Sequence, residues 1–253
     1  MGVFHGRVAL VTGGTRGIGK AIALKFAAAG ADLAVNYSRS TEHADAAVAV
    51  LHALGVRAEA WQCDIGDRDA VFAMVNDVAD RFGRIDILVN SAARGLERPR
   101  AAIDSLPKHL RHTMDVNLFG PWFATQAAAP HMREGGAVIN LLSPGSDRYL
   151  PKYAPVGVSK GALESLTKYL AVELAPRGIR VNAVSAGLVG GTDGVRMLDQ
   201  EMVADYEAKV PAGRQVSPDD VADAVAFLAS PAAAMIIGQV LLVDGGYSLL
   251  GTV

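Results

Sequence analysis

The feature that most restricts the folds open to this chain is a repeated alternation: a short, nearly continuous apolar run, then a longer stretch with helical periodicity. "RVALVT" (Arg7–Thr12) precedes the helical "GKAIALKFAAAG", which ends at Gly30. "ADLAVNY" (Ala31–Tyr37) precedes a helix over Glu42–Leu54, and "RAEAWQCD" supplies a strand over Arg57–Cys63. "DAVFAMVNDVADRFG" is again helical, "IDILVN" (Ile85–Asn90) is a strand, and further strands are expected at "AVINLLS", "IRVNAVS" and "VLLVDGG". Strands apolar throughout need cover on both faces, and strands separated by helices connect in parallel through right-handed crossovers. The pattern predicts an α/β protein with a doubly wound parallel sheet. With no linker, repeat or low-complexity segment, residues 1–253 are read as a single domain.

At 253 residues the chain is long enough for one large core, and a net charge of −2 gives no electrostatic reason to bind nucleic acid or an anionic membrane. Cys63 is the one cysteine, which excludes an internal disulfide and fits a reducing compartment. No apolar run is long enough to span a bilayer, and "MGVFHGRVALVTGG" enters a strand without the basic region and cleavage site of a secretory signal. A cytoplasmic enzyme is expected. His109 and His112 share a helix face with no carboxylate or thiolate at a metal-ligand spacing, and are read as solvated surface.

"TGGTRGIG" (Thr12–Gly19) lies between the first strand and the first helix. Glycine there lets the backbone turn tightly and approach a pyrophosphate, while the helix N-terminus offers unpaired N–H donors and a positive dipole end. Gly13, Thr15, Arg16, Gly17, Ile18 and Gly19 are therefore assigned to a dinucleotide. The second strand ends in "NYSRS", without the carboxylate that would hold the ribose hydroxyls of NAD. Ser38 and Arg39, with Arg16 from the glycine loop, suit a 2′-phosphate instead, so NADPH is the expected cofactor. Asp64, followed by Ile65 in "CDIGD", is placed to meet the adenine amino group, and Asn90 in "NSAA" to line a cofactor ribose.

These motifs, with Asn117 in "MDVNLFG", Ser143, the Lys160 segment and "VDGG", resemble the short-chain dehydrogenase/reductases, in order and at the expected spacings over nearly the whole chain. The resemblance implies a Rossmann-type sheet of about seven strands. It also implies that Lys160 binds the nicotinamide ribose and lowers the pKa of a catalytic tyrosine, and that the chain forms a homotetramer with "GYSLLGTV" buried between subunits. Asn117 matches the asparagine of the family's catalytic network, which in an enoyl reductase either serves that network or only holds a helix bend and a water. Gly187 and Val189 lie in "SAGLVGGTD", near the expected carboxamide contacts. The wider family has Pro-Gly there, and Gly191 is an extra residue, so the role of Thr192 stays open. "NSAA" replaces the commoner Asn-Asn-Ala-Gly.

Members of that superfamily commonly place Tyr-x-x-x-Lys at the start of the helix that follows the serine. Here the residue four before Lys160 is Val156, which cannot donate a proton, and Tyr153 stands seven before it. Offsets of four and seven return to one helix face, and Pro155 suits a first helical turn. Tyr153 is therefore expected just outside the helix, pointing toward the lysine. The Tyr-x6-Lys spacing resembles that of short-chain enoyl-thioester reductases, and "RYLPKYAPVGVSKGALESLTKYLAVEL" is most similar to the NADPH-dependent enoyl-acyl-carrier-protein reductase III group. An enoyl reductase delivers hydride to the β-carbon, farther from the thioester oxygen than a ketone's carbonyl carbon is from its own oxygen. A proton donor displaced from the nicotinamide fits that geometry.

The resemblance thus implies Tyr153, Lys160 and Ser143 as catalytic residues. The implied reaction is NADPH-dependent reduction of the α,β double bond of an enoyl thioester, on coenzyme A or acyl-carrier protein, in fatty-acid or related secondary metabolism. A carbonyl reductase acting on a 3-oxoacyl or polyketide ketone is one alternative, and a catalytically inactive NADPH-binding scaffold is another. Tyr149 either lines the acyl pocket or packs its loop. "TDGVRMLDQEMVADYEAKV" has the pattern of a substrate lid, whose Met197, Leu198, Met202 and Val203 face either an acyl chain or the core. Arg94, Arg98, Arg100, Lys108 and Arg111, against Glu97 and Asp104, form either a solvated face or a basic rim that docks an acyl-carrier protein or coenzyme A phosphates.

Overall fold

A computed structural model describes residues 2–95 and 100–250. The strands are β1 (Val8–Thr12), β2 (Asp32–Tyr37), β3 (Ala58–Gln62), β4 (Ile87–Asn90), β5 (Ala137–Leu142), β6 (Arg180–Ala186) and β7 (Val240–Val243). They form a seven-stranded sheet in the order β3-β2-β1-β4-β5-β6-β7, every neighbouring pair parallel. Each of the first four expected strands is present but starts one or two residues later. At β4 the delay has a visible cause: the buried Asp86 carboxylate accepts from the Val8 amide and pairs with Arg84, pinning the start of β4 to β1.

Successive residues of the central strands enter opposite cores, which is why these strands are apolar throughout. Ala9 and Val11 of β1 face one core with Ile22 and Phe26 of α1 (Gly17–Ala28) and Val221 and Val225 of α9 (Pro218–Ala229). Val8 and Leu10 face the other, with Val71 and Val75 of α3 (Arg68–Phe82) and Ala124 of α5 (Gly120–Ala128). Local chemistry sets the helix starts. Ser40 caps α2 (Thr41–Ala53) by accepting from the His43 amide, Asp67 caps α3, and Ser217 and Asp220 form a capping box at α9.

Two features position the site. The strand order reverses between β1 and β4, opening a crevice at the carboxyl edge of the sheet, where ligands of doubly wound folds bind. Between α4 (Pro107–Met114) and α5 the chain passes through a π-helical turn, Asp115–Phe119, which carries the buried Asn117. Among the described residues, no helix is long and apolar enough to cross a membrane.

Candidate functional site

The glycine loop follows β1 directly. Gly13 has φ +65°, and a Cβ on it would come within 3.1 Å of the Ala92 backbone. Gly17 has φ +52°, and a Cβ on Gly19 would overlap the Gly13 carbonyl. Side chains are thus excluded by conformation and by space, leaving backbone exposed at the crevice. Thr15 is buried, and Ile18 is half-buried against the core. The first turn of α1 holds no acidic residue, and its cap residue Arg16 makes no side-chain cap, so the terminal N–H groups suit an anion. The loop fits the diphosphate of a dinucleotide.

Two further residues hold this loop, and sequence reasoning assigned neither to the site. Asn36 accepts from the Gly13 amide at 3.2 Å and donates to the Cys63 carbonyl at 3.0 Å, tying the loop to the end of β3. Thr12 accepts from the amides of Ser91 and Ala92, joining the ends of β1 and β4. Burial of both polar side chains is the signal that marks them, and it appears only after folding.

Ser38 and Arg39 are exposed at the end of β2, the strand that pairs with β1. Arg16 is not idle: its Nη1 lies 2.7 Å from Asp193 Oδ2. Asp64 Oδ1 accepts from the Gly66 amide, and Asp64, Gly66, Asp67, His112, Asp115 and Val116 line a cleft of about 340 Å³. Ile65 is buried beneath it and would overlap any side chain at Gly120. Asn90 Nδ2 donates to Asn140 Oδ1 at 2.8 Å inside the β4–β5 register, while its Oδ1 is buried without a hydrogen-bond partner. Asn140 continues to Thr167 on α6 (Ala154–Leu174), a buried polar ladder from the crevice to that helix.

Tyr153 is the residue immediately before α6, and Pro155 occupies its first turn. The ring packs against two touching glycines: a Cβ on Gly145 would come within 2.7 Å of Tyr153 Cδ1, and one on Gly157 within 3.7 Å. The hydroxyl end faces Ser143. Burial pushes the phenol above its ordinary value, and the neighbouring Ser143 hydroxyl opposes the shift. Ser143 Oγ is itself buried without a fully formed hydrogen bond, so the two hydroxyls are neighbours with capacity to spare for a third group. Val156 is buried, and its Cγ2 is 2.9 Å from where a Cβ on Gly95 would stand, beside Thr113.

The Lys160 ammonium is buried, donates to the Leu141 carbonyl at 2.6 Å, and is pushed down to about 8 by desolvation. Asn117 clamps the strand β4 exit to α6: it accepts from the Arg94 amide, and donates to the Arg94 carbonyl and to Ser159 Oγ.

After β6, the Gly187 amide bonds Val243, and a Cβ on Gly187 would collide with the Tyr206 hydroxyl. Tyr206, on α8 (Gln200–Lys209), also accepts from the Leu188 amide at 3.4 Å, so α8 rests on this loop. Val189 is buried and bridges Val216. Thr192 donates to the Val189 carbonyl and caps α7 (Asp193–Arg196), which accounts for this residue structurally. Of the four residues expected on a lid, Val203 packs into the protein, Leu198 is half-buried, and Met197 and Met202 are exposed. Tyr149 is 85% exposed, so it packs no loop. Arg100 pairs with Tyr153 through a parallel backbone bridge, which brings the basic segment to the mouth of the site. Lys108 and Arg111 are exposed, while Arg98 and Glu97 lie outside the described residues.

A family model described as enoyl-(acyl carrier protein) reductase matches residues 13–248. An uncharacterized oxidoreductase of Methylorubrum extorquens is 42% identical, covering 97% of this chain and 99% of the relative. A 1-cyclohexenylcarbonyl-CoA reductase of Streptomyces collinus is 36% identical (96% and 88% covered), and a 3-oxoacyl-[acyl-carrier-protein] reductase of Synechocystis is 39% identical (95% and 96%). The solved structure of a short chain dehydrogenase from Burkholderia cenocepacia in complex with NADP superposes with a TM-score of 0.90 at 40% identity, covering 97% of this chain and 99% of that one. The chain belongs to the short-chain dehydrogenase/reductase superfamily and is an oxidoreductase.

Proposed function

We propose that this oxidoreductase uses NADPH to reduce the α,β double bond of an enoyl thioester, with Tyr153 as the phenol that stabilises the substrate oxygen. The observation that carries the reading is the Tyr153 hydroxyl facing Ser143 while Val156, four before Lys160, is buried and has no proton to give. The cofactor would be held by Gly13, Thr15, Gly17, Ile18 and Gly19 at the diphosphate, and by Arg16, Ser38 and Arg39 at the 2′-phosphate. Asp64 and Ile65 would meet the adenine, Asn90 and Lys160 the ribose region, and Gly187 and Val189 the carboxamide. When bound, NADPH supplies the hydride.

The chain's own groups supply the rest. A phenol held above its ordinary value keeps its proton at neutral pH, the form that donates a hydrogen bond to an enolate oxygen. Ser143 has an unspent hydroxyl beside it, able to share the same oxygen. The Lys160 ammonium is charged below about 8 and is fixed by the Leu141 carbonyl, which prepares it to donate to ribose hydroxyls. The Streptomyces relative, whose name specifies a ring alkene conjugated with a thioester, supports alkene reduction. The Synechocystis relative, named for ketone reduction, supports the second reading, a 3-oxoacyl reductase.

The deciding experiment follows NADPH oxidation with a trans-2-enoyl thioester and, in parallel, the 3-oxoacyl thioester of equal chain length. Turnover of the enoyl substrate with at most trace ketone reduction is expected. Preference for the ketone would replace this reading with the second.

A further inference from the structure

The glycine loop and the lid are joined by one ion pair. Arg16 caps α1 with an extended backbone, and its side chain leaves the helix end to meet Asp193, 177 positions away, at 2.7 Å. Asp193 is the first residue of α7, directly after Thr192, whose hydroxyl ties that turn to the Val189 carbonyl. Arg196 Nη1 lies 3.5 Å from the other carboxylate oxygen. One lid carboxylate thus serves two guanidiniums, and one of these is the arginine that the NADPH reading gives to the 2′-phosphate.

We infer that Asp193 is a cofactor-specificity residue: it occupies Arg16 in the cofactor-free protein, clasping the lid to the glycine loop, and yields Arg16 to the 2′-phosphate of NADPH. The inference rests on the NADPH reading of Arg16. The side chains of the pair are 68% and 48% exposed, and an ion pair so open to water is weak. A phosphate carries more charge than a carboxylate and makes strong charge-assisted bonds to a guanidinium, so the exchange runs toward the cofactor. NADH has no group to offer Arg16 at that position and leaves the clasp shut. Arg196 retains Asp193 after the exchange, so the released carboxylate is not left without a counter-charge.

The test is direct binding of NADPH and NADH, by fluorescence titration at low salt and without acyl substrate, to wild type, Asp193→Asn, Arg16→Gln and the double variant. Removing the competitor is expected to tighten NADPH by about two- to fivefold, the range an exposed ion pair can contribute, and to leave NADH unchanged. In the Arg16→Gln background the Asp193 substitution is expected to do nothing. Tightening of both nucleotides, or tightening that persists without Arg16, would reduce Asp193 to a repelling charge and overturn the inference. Unchanged or weaker NADPH binding in Asp193→Asn overturns it as well. If Arg16→Gln alone leaves NADPH affinity intact, the phosphate assignment of Arg16 falls, and the clasp falls with it.

Discussion

Lys160 shows at a single residue how function and stability oppose each other. Its folded pKa of about 8 lies below its ordinary 10.5, so between those values the unfolded chain binds more protons and stability rises with pH. Below pH 8 the buried charge costs up to about 3 kcal/mol, offset in part by the bond to Leu141. Lys160→Met is therefore expected to raise the melting temperature at pH 7, with the gain shrinking as pH approaches 10.5, while turnover is lost. A variant less stable than wild type at pH 7, with no pH trend, would contradict this account of the charge. The lysine was legible in the sequence because its motif is local. Its surroundings were not, since the packing of the Tyr153 ring and the direction of the ammonium depend on Gly145, Gly157 and the Leu141 carbonyl once β5 and α6 pack.

At the scale of elements, the strands and the glycine loop were readable because period and turn chemistry are short-range properties. Contacts across long separations were not: Arg16 to Asp193 and Asn36 to Gly13 depend on the sheet bringing distant turns to one edge. The sheet's β7 edge differs from the covered strand its apolar sequence implied. Leu241 and Leu242 are exposed at 38% and 40%, and on α6 the stripe of Val158, Tyr169 and Val172 faces outward. Parallel strands are rarely left wet, and apolar stripes of this extent mark association surfaces. The homotetramer implied by the family resemblance would cover them. Light scattering is expected to give the mass of four chains, falling in Leu242→Asp; a wild-type monomer would remove the tetramer.

Across the whole molecule, Gly13 after β1, Ser38 after β2, Asp64 after β3, Ser143 after β5 and Gly187 after β6 come from distant parts of the sequence to one edge of the sheet. That convergence follows from parallel connection alone, which is why motif order in the sequence could locate the site before any coordinate did. The central claim concerns which phenol works there. Tyr153→Phe keeps the ring against Gly145 and Gly157 and removes only the hydroxyl that faces Ser143. The measurement is kcat for NADPH oxidation with a trans-2-enoyl thioester, wild type against Tyr153→Phe, with nucleotide affinity as the control for an intact fold. A loss of about 10²- to 10⁴-fold in kcat at unchanged NADPH affinity is the predicted result. Full activity without the hydroxyl would contradict Tyr153 as the group that stabilises the substrate oxygen.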